Sequence, residues 1–328
     1  MKNLTYREAI IEAMDEEMAR DPNVFIMGED IGEYWEGPFN EYAGLWQKYG
    51  SERIRDTPIS EEAFVGAAVG AAITGMRPIA NVMFANFLTV PMDEIFNQMT
   101  KLRYMNGGKM KIPLTIISLS GGGIGAAAQH SICMEGLLNS IPGLKIVSPA
   151  TPKDAKGLLK SAIRDDNPVI FFQNLTLTLS SKKGDVPEEE YLIPLGKADV
   201  KSVGEDITII AVGNMVNTSL RAVQLLRDMG VSAELIDPRT VAPLDKTTIL
   251  ESVKKTGKVV ITAEEPKTGG IAGEISAIIA EEAIEYLEGP VKRVCGLDTP
   301  IPFSPGLEKF WIPNEKDIVR AVKELIEG

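Results

Sequence analysis

The 328 residues of the chain predict two domains of about 150 residues, each long enough for its own core. Hydrophobic residues at 44%, with 30 Gly and 20 Pro, exclude a low-complexity or disordered chain. The 34 Lys and Arg against 46 Asp and Glu leave a net charge of −12, which opposes a nucleic-acid or anionic membrane partner.

Charged residues from Lys2 to Glu17 occupy the place where an export signal would carry an apolar stretch. Cys133 and Cys295 stand at neither disulfide-framework nor zinc-ligand spacing. The expected location is cytoplasmic, or the mitochondrial matrix for a processed eukaryotic chain. The opening helix carries a capping box, Thr5 with Glu8, and is predicted to run to about Ala19. An apolar strand, Val24 to Met27, follows it. Ala63 to Gly75 is an uncharged helix of small residues, expected to be central and buried because small side chains let another backbone approach. Strand Ile79 to Met83, helix Met92 to Tyr104, strand Leu114 to Leu119, helix Met134 to Ser140 and strand Leu144 to Val147 continue the alternation of a parallel α/β sheet. The uncharged run from Ile112 to Met134 has the length of a membrane span, but Pro113, four glycines, Gln129 and His130 make it a buried strand followed by a loop.

Thr151, Pro152 and Asp154 start a further helix, and Val169 to Phe172 reads as a strand. The pattern then fails, and Lys182, Lys183, Gly184, Pro187 and Glu188 to Glu190 read as an exposed linker. The division expected is a first domain over residues 1–180, a linker over 181–195 and a second α/β domain over 196–328. The second domain opens with strand Ile207 to Val212 and a helix with Val216, Leu220, Val223 and Leu226 on one face. Strand Ala233 to Ile236 comes next. Strands Val259 to Thr262 and Val291 to Val294 then enclose helix Ile271 to Tyr286, and a last helix starts at Asn314.

Three places carry chemistry. Gly123 to Ala128 fits a loose GxGxxA pattern, but Ser148 and Pro149 stand where a dinucleotide site wants an acidic residue, so a glycine turn is the better reading. His130, the one histidine of the chain, follows that turn at a strand's carboxyl end, where open α/β sheets bind ligands; a structural histidine is the alternative, and no second ligand at metal spacing accompanies it. Glu61 and Glu62 begin the small-residue helix after the turn Thr57-Pro58-Ile59-Ser60, and Glu29 and Asp30 end the first strand. In each pair the choice lies between a solvated charge and an inward carboxylate whose pKa burial would raise.

Together these segments resemble, nearly end to end, the β subunit of the thiamine diphosphate-dependent E1 component of 2-oxoacid and acetoin dehydrogenase complexes. The residues that carry the likeness are Gly28-Glu29-Asp30, Asp56 to Glu61, Gly75 to Ile79, Gln129-His130-Ser131, Pro142 to Lys145, Asp154 to Leu159, Ile236 to Thr240 and Pro243-Leu244-Asp245. The resemblance implies a parallel-sheet pyrimidine-type thiamine diphosphate-binding domain followed by a transketolase C-terminal-like α/β domain. It implies that Glu61 faces N1′ of the aminopyrimidine ring, that Phe87 stacks on that ring, that Met83 packs beside it and that Glu29 lies near it. A carboxylate that shares its proton with N1′ would switch on the ring's own base. His130 would handle protons as the acyl group passes to lipoamide. A structural potassium ion would be held by the Leu114 carbonyl with Ala162, Asp165 and Asn167.

No Gly-Asp-Gly segment occurs in the chain, so the magnesium and diphosphate motif is expected from an α subunit in an α2β2 assembly. The other implied partners are a lipoyl-bearing E2 acyltransferase and a small 2-oxo acid, such as pyruvate, or acetoin. Ser118 stands where the family usually has Arg, Ile132-Cys133 replace Gln-Ser, and Gln173 replaces a frequent Glu, changes that bear on donor or acceptor choice. The alternatives are half of a split transketolase-like enzyme passing a two-carbon unit to a sugar, a non-catalytic regulatory partner, and, weakest, a nicotinamide dehydrogenase.

Overall fold

Thr5 Oγ1 accepts from the Glu8 amide at 3.2 Å and the Glu8 carboxylate accepts from the Thr5 amide at 2.7 Å, so the predicted capping box forms and starts a helix over Tyr6–Arg20. This helix packs against Pro152–Arg164, itself capped by Thr151, and Ile10, Met14 and Met18 share a buried cluster with Leu158, Leu159 and Ile163. The computed structural model describes residues 1–327, which divide into two units: residues 1–120 with 141–195, and residues 121–140 with 196 onward.

In the first unit the main sheet is parallel. Lys145–Val147 pairs with Val169–Asn174, which pairs with Thr115–Ser120, then Arg77–Phe84, then Val24–Gly28, and Ile54–Asp56 closes the row. Val24–Gly28, Thr115–Ser120 and Val169–Asn174 are wholly buried and rich in Ile, Val and Phe, as a sheet covered on both faces requires.

Four expectations need correction. The helix predicted over Met92 to Tyr104 is broken into a π-helical turn, Glu94–Met99, and a short helix, Leu102–Met105; the Thr100 hydroxyl donates back to the Ile95 and Phe96 carbonyls and so competes with the regular ladder. The small-residue helix spans Glu61–Ile73 but buries one face only, with Phe64, Val65, Ala68 and Ala72 inward and Ala63, Ala67 and Gly70 exposed. Small side chains there leave a smooth outer face; they do not place the helix at the centre. The segment read as an exposed linker contains a strand, Lys183–Val186, paired antiparallel with Lys2–Thr5. Residues 121–140, with the glycine turn and His130, group with the second unit although the flanking chain belongs to the first.

The second unit holds a five-stranded sheet in the order Lys292–Gly296, Val259–Pro266, Ile207–Ala211, Ala233–Asp237, Asp199–Ser202, the last strand antiparallel. Helix Met215–Asp228 buries Val216, Ser219, Ala222, Val223 and Leu226, while Leu220 is exposed, so its inward stripe is rotated from the one the apolar residues alone suggest. Short helix Pro305–Trp311, which the sequence pattern does not announce, precedes the final helix Glu315–Ile326. Among the described residues, no helix is long and apolar enough to cross a membrane.

Charge supports the first unit's helix pair. Glu17 is fully buried and takes both Nε and Nη2 of Arg164, at 2.7 to 3.0 Å, while Lys156 and Lys160, each about as buried, are paired with Glu12 and Glu16. Removing Glu17, the fully buried member, leaves Arg164 without its bidentate partner and the buried Lys160 with one carboxylate fewer. Glu17→Ala should cost about 3 kcal/mol or more of unfolding free energy, measured by denaturant titration; a loss below about 1 kcal/mol would show that the network contributes little.

Candidate functional site

The carboxyl ends of the first unit's strands bring two of the predicted acidic residues together. Glu29 follows the Val24–Gly28 strand, and Glu61 is the first residue of its helix. Both are buried, at 5% and 8% exposure, whereas Asp30 and Glu62 face solvent, which decides the choice that sequence leaves open. The two buried side chains hydrogen-bond each other. Burial, and after it the charges of Glu61 and Asp30, push the Glu29 carboxyl up to about 7.

Backbone geometry fixes this pair. A Cβ at Gly28 would stand 2.7 Å from the Asn81 carbonyl oxygen, so only glycine lets the two strands approach there. Asp30 takes a positive φ of 53°, and the next amide, of Ile31, donates to Asp56 Oδ1 at 3.1 Å, which turns the chain away after Glu29. The Thr57 amide donates to the Gly28 carbonyl at 2.9 Å and brings the Pro58 turn beside it.

Four buried polar atoms at these strands and turns have no hydrogen-bond partner: Glu29 Oε1, Thr57 Oγ1, Asn81 Nδ2 and Ser118 Oγ. Native interiors rarely leave such atoms unmet, so this row offers polar contacts that water or a ligand could take up. Beside it stand Met83 and Phe87, both half-buried, at the end of the Arg77–Phe84 strand and in the turn after it. The Phe87 ring meets Phe84 edge to face at 5.9 Å, and Phe84 meets Phe39 in the same way at 6.4 Å, a chain of contacts that holds Phe87 in place. Gln173, in the place of a frequent Glu, donates to the Thr178 hydroxyl at 3.1 Å, a bond that suits a neutral amide.

Ala162, Asp165 and Asn167 share one turn. The Ala162 carbonyl accepts from the Asp165 amide at 3.1 Å, and the Leu114 carbonyl accepts from Val169 at 2.9 Å. The Asp165 carboxylate is paired with Lys145, and Asn167 Oδ1 accepts from Arg103 at 2.6 Å. Lys145 and Arg103 thus hold Asp165 Oδ2 and Asn167 Oδ1, Asp165 Oδ1 accepts from the Asn167 amides, and any further cation would be held through main-chain oxygens, which keep a second lone pair. Among the described residues, no group of three His, Cys, Asp or Glu side chains is placed to bind a metal.

His130 lies in the second unit, on a segment without helix or strand. The amides of Gly123 and Gly125, which a dinucleotide pyrophosphate would need, both donate to the Glu308 carboxylate at 2.8 Å, so the glycine turn serves the protein's own carboxylate. The imidazole is half-buried, and the His130 amide donates to the Ala127 carbonyl at 3.3 Å. Three residues on, burial and the charges of Glu135, Glu264 and Glu265 push the Cys133 thiol well above its ordinary value, which removes it as a nucleophile.

Sequence reasoning misses Thr57, Asn81, Glu264, Glu265 and Glu308. The first two are ordinary polar residues whose lack of a partner shows only in three dimensions. The three carboxylates lie far along the chain from the segment they bind.

Comparison with known proteins fits this geometry. Residues 2–178 match the transketolase pyrimidine binding domain and residues 196–318 the transketolase C-terminal domain. The 2-oxoisovalerate dehydrogenase subunit beta of Bacillus subtilis (strain 168) is 44% identical over 328 residues, covering 100% of both chains. The acetoin:2,6-dichlorophenolindophenol oxidoreductase subunit beta of the same organism is 44% identical over 334 residues, covering 98% of this chain and 97% of its own. Its pyruvate dehydrogenase E1 component subunit beta is 44% identical over 327 residues, covering 100% of both. A solved split gene transketolase, described as an inactive beta4 tetramer, shares the fold with a TM-score of 0.81 at 24% identity, covering 99% of both chains. The chain therefore belongs to the family of E1 β subunits of 2-oxoacid and acetoin dehydrogenases.

Proposed function

We propose that this chain, together with an α subunit, forms a thiamine diphosphate-dependent E1 oxidoreductase that cleaves a small 2-oxo acid or acetoin and acylates the lipoyl domain of an E2. The observation that carries this reading is the Glu29–Glu61 pair: two buried carboxyl groups in hydrogen-bond contact, one held near neutrality, beside a buried oxygen with no partner. Thiamine diphosphate, when bound, would supply a nucleophilic carbon and a sink for the negative charge left by bond cleavage.

Glu61 holds a proton at N1′ of the aminopyrimidine, and the raised Glu29 carboxyl beside it avoids a second buried negative charge. Phe87 and Met83 present an apolar wall to the ring and exclude water. The unpartnered Thr57, Asn81 and Ser118 atoms supply further polar contacts at the strand ends. His130 gives a proton to the dithiolane sulfur as the acyl group transfers. The chain has no Gly-Asp-Gly motif, and in this reading magnesium and the diphosphate are held by the α subunit. A structural potassium ion, held through main-chain oxygens of the Leu114, Ala162, Asp165 and Asn167 set, would brace the turn after helix Pro152–Arg164.

Donor and acceptor are read directly by combining both subunits with thiamine diphosphate and magnesium and offering pyruvate, branched 2-oxo acids, acetoin and a ketose phosphate in turn. Lipoyl acylation from a 2-oxo acid or acetoin is expected; activity with the ketose phosphate alone would replace this reading with a split transketolase.

Glu61→Gln should leave assembly intact and slow hydrogen exchange at the thiazolium C2 by several orders of magnitude, because an amide cannot carry the N1′ proton. Exchange as fast as in the unaltered enzyme would remove Glu61 from this role.

The Glu29 carboxyl, raised from 4.5 to about 7, binds its proton more tightly in the fold than in the unfolded chain. The stability this gives is full below the lower value and is lost as pH rises through the upper one. Glu29→Gln should therefore flatten the decline of melting temperature between these two pH values, whereas an unchanged slope would show that Glu29 ionises normally.

A further inference from the structure

Between Gly121 and Met134 the chain makes neither helix nor strand, and Gly121, Gly123, Gly125 and Ala127 all take positive φ, at 87°, 101°, 75° and 61°. Three glycines at such angles give a loop that is free to rearrange unless something outside it sets its shape. Within the loop, Gly121 donates to Ile132, and His130 to Ala127, each at 3.3 Å.

The shape comes from side chains of the second unit's body. Glu308, 3% exposed, accepts from the Gly123 and Gly125 amides with one oxygen each, both at 2.8 Å. The buried Glu264 carboxyl accepts from the Gly122 amide, and Glu265 takes the Gly136 amide at 2.7 Å together with that of Ile271 at 2.8 Å. His130 sits between the two ends that these carboxylates grip. Contact at Gly122 is close, because a Cβ there would lie 3.0 Å from Ile312 Cδ1 and 3.3 Å from Glu308 Oε1. Glu308 is itself anchored. Trp311, one turn on in the same short helix, donates from Nε1 to the Thr299 carbonyl at 2.9 Å, and its ring fills the space where a Gly296 side chain would lie.

We propose that Glu308 is a positioning residue for His130: by gripping the Gly123 and Gly125 amides it sets the loop so that the imidazole stands where proton transfer to the lipoyl group requires it. Amide bonds to a carboxylate are among the stronger hydrogen bonds a protein makes, and a bidentate grip fixes direction as well as distance. An error of about 1 Å in placing a catalytic group can cost about 100-fold in rate. The inference rests on the reading of His130 as the proton donor to lipoamide.

The test compares Glu308→Ala, Glu308→Gln, His130→Ala and the Glu308→Ala/His130→Ala double variant in the assembled enzyme. Lipoyl acylation and donor oxidation by an artificial dye are measured in parallel, with amide hydrogen exchange across residues 119–133. His130→Ala should lose about 100-fold of acylation and far less of dye reduction. Glu308→Ala should lose acylation in the same selective way, expose the Gly123 and Gly125 amides to fast exchange, and add nothing in the double variant. Glu308→Gln, which keeps one acceptor oxygen, should fall between Ala and the unaltered enzyme, and it carries the test if the Ala variant does not fold. Losses that multiply in the double variant, or amides that stay protected without the carboxylate, would overturn the inference. Impairment of His130→Ala with a normal Glu308→Ala would overturn it alone. No impairment in either would remove the role of His130 as well.

Discussion

Two carboxyl groups buried side by side cannot both ionise cheaply, and the Glu29–Glu61 pair turns that constraint into a proton kept at the strand ends near neutral pH. Much of the first unit works to enforce the encounter. Gly28 lets two strands close up under Glu29, Asp56 catches the turn that follows, and the Pro58 turn delivers Glu61 as the first residue of its helix. The burial that raises the Glu29 carboxyl also leaves Thr57, Asn81 and Ser118 with unmet polar atoms, and a ligand with matching donors and acceptors would repay that cost.

The second unit uses carboxylates differently. Glu264 is pushed up to about 7 and Glu265 to about 8, chiefly by burial and then by the charge of Glu135, yet both still accept backbone amides, and with Glu308 they hold the ends of the loop that carries His130. Acidic side chains are therefore an internal scaffold as well as reactive groups.

How much was legible in the sequence depended on how local the physics is. The capping box at Thr5 and Glu8, the Thr151-Pro152 helix start and the apolar strands are set by neighbours in the chain, and they fold as read. The helix predicted after Met92 is broken because the Thr100 hydroxyl competes for carbonyls, a contest that apolar periodicity does not register. The small-residue helix misleads because Ala and Gly suit a close contact and an open face equally well. Local pattern narrows Glu61 only to a pair with Glu62, and Glu29 to a pair with Asp30; the family resemblance picks Glu61 and Glu29, and burial shows that these are the members that turn inward. Glu308 carried no signal at all, since its partners lie 183 and 185 positions away.

The central claim is that the buried pair holds one proton into the neutral range. Infrared difference spectroscopy across a pH titration reads it directly, because a protonated carboxyl absorbs apart from a carboxylate, and comparison with Glu29→Gln separates this pair from Glu264 and Glu265. The account predicts a protonated-carboxyl signal that persists to about pH 7 and disappears from the Glu29→Gln spectrum. Identical spectra for the two proteins from pH 4.5 upward would mean that Glu29 ionises normally, and would contradict it.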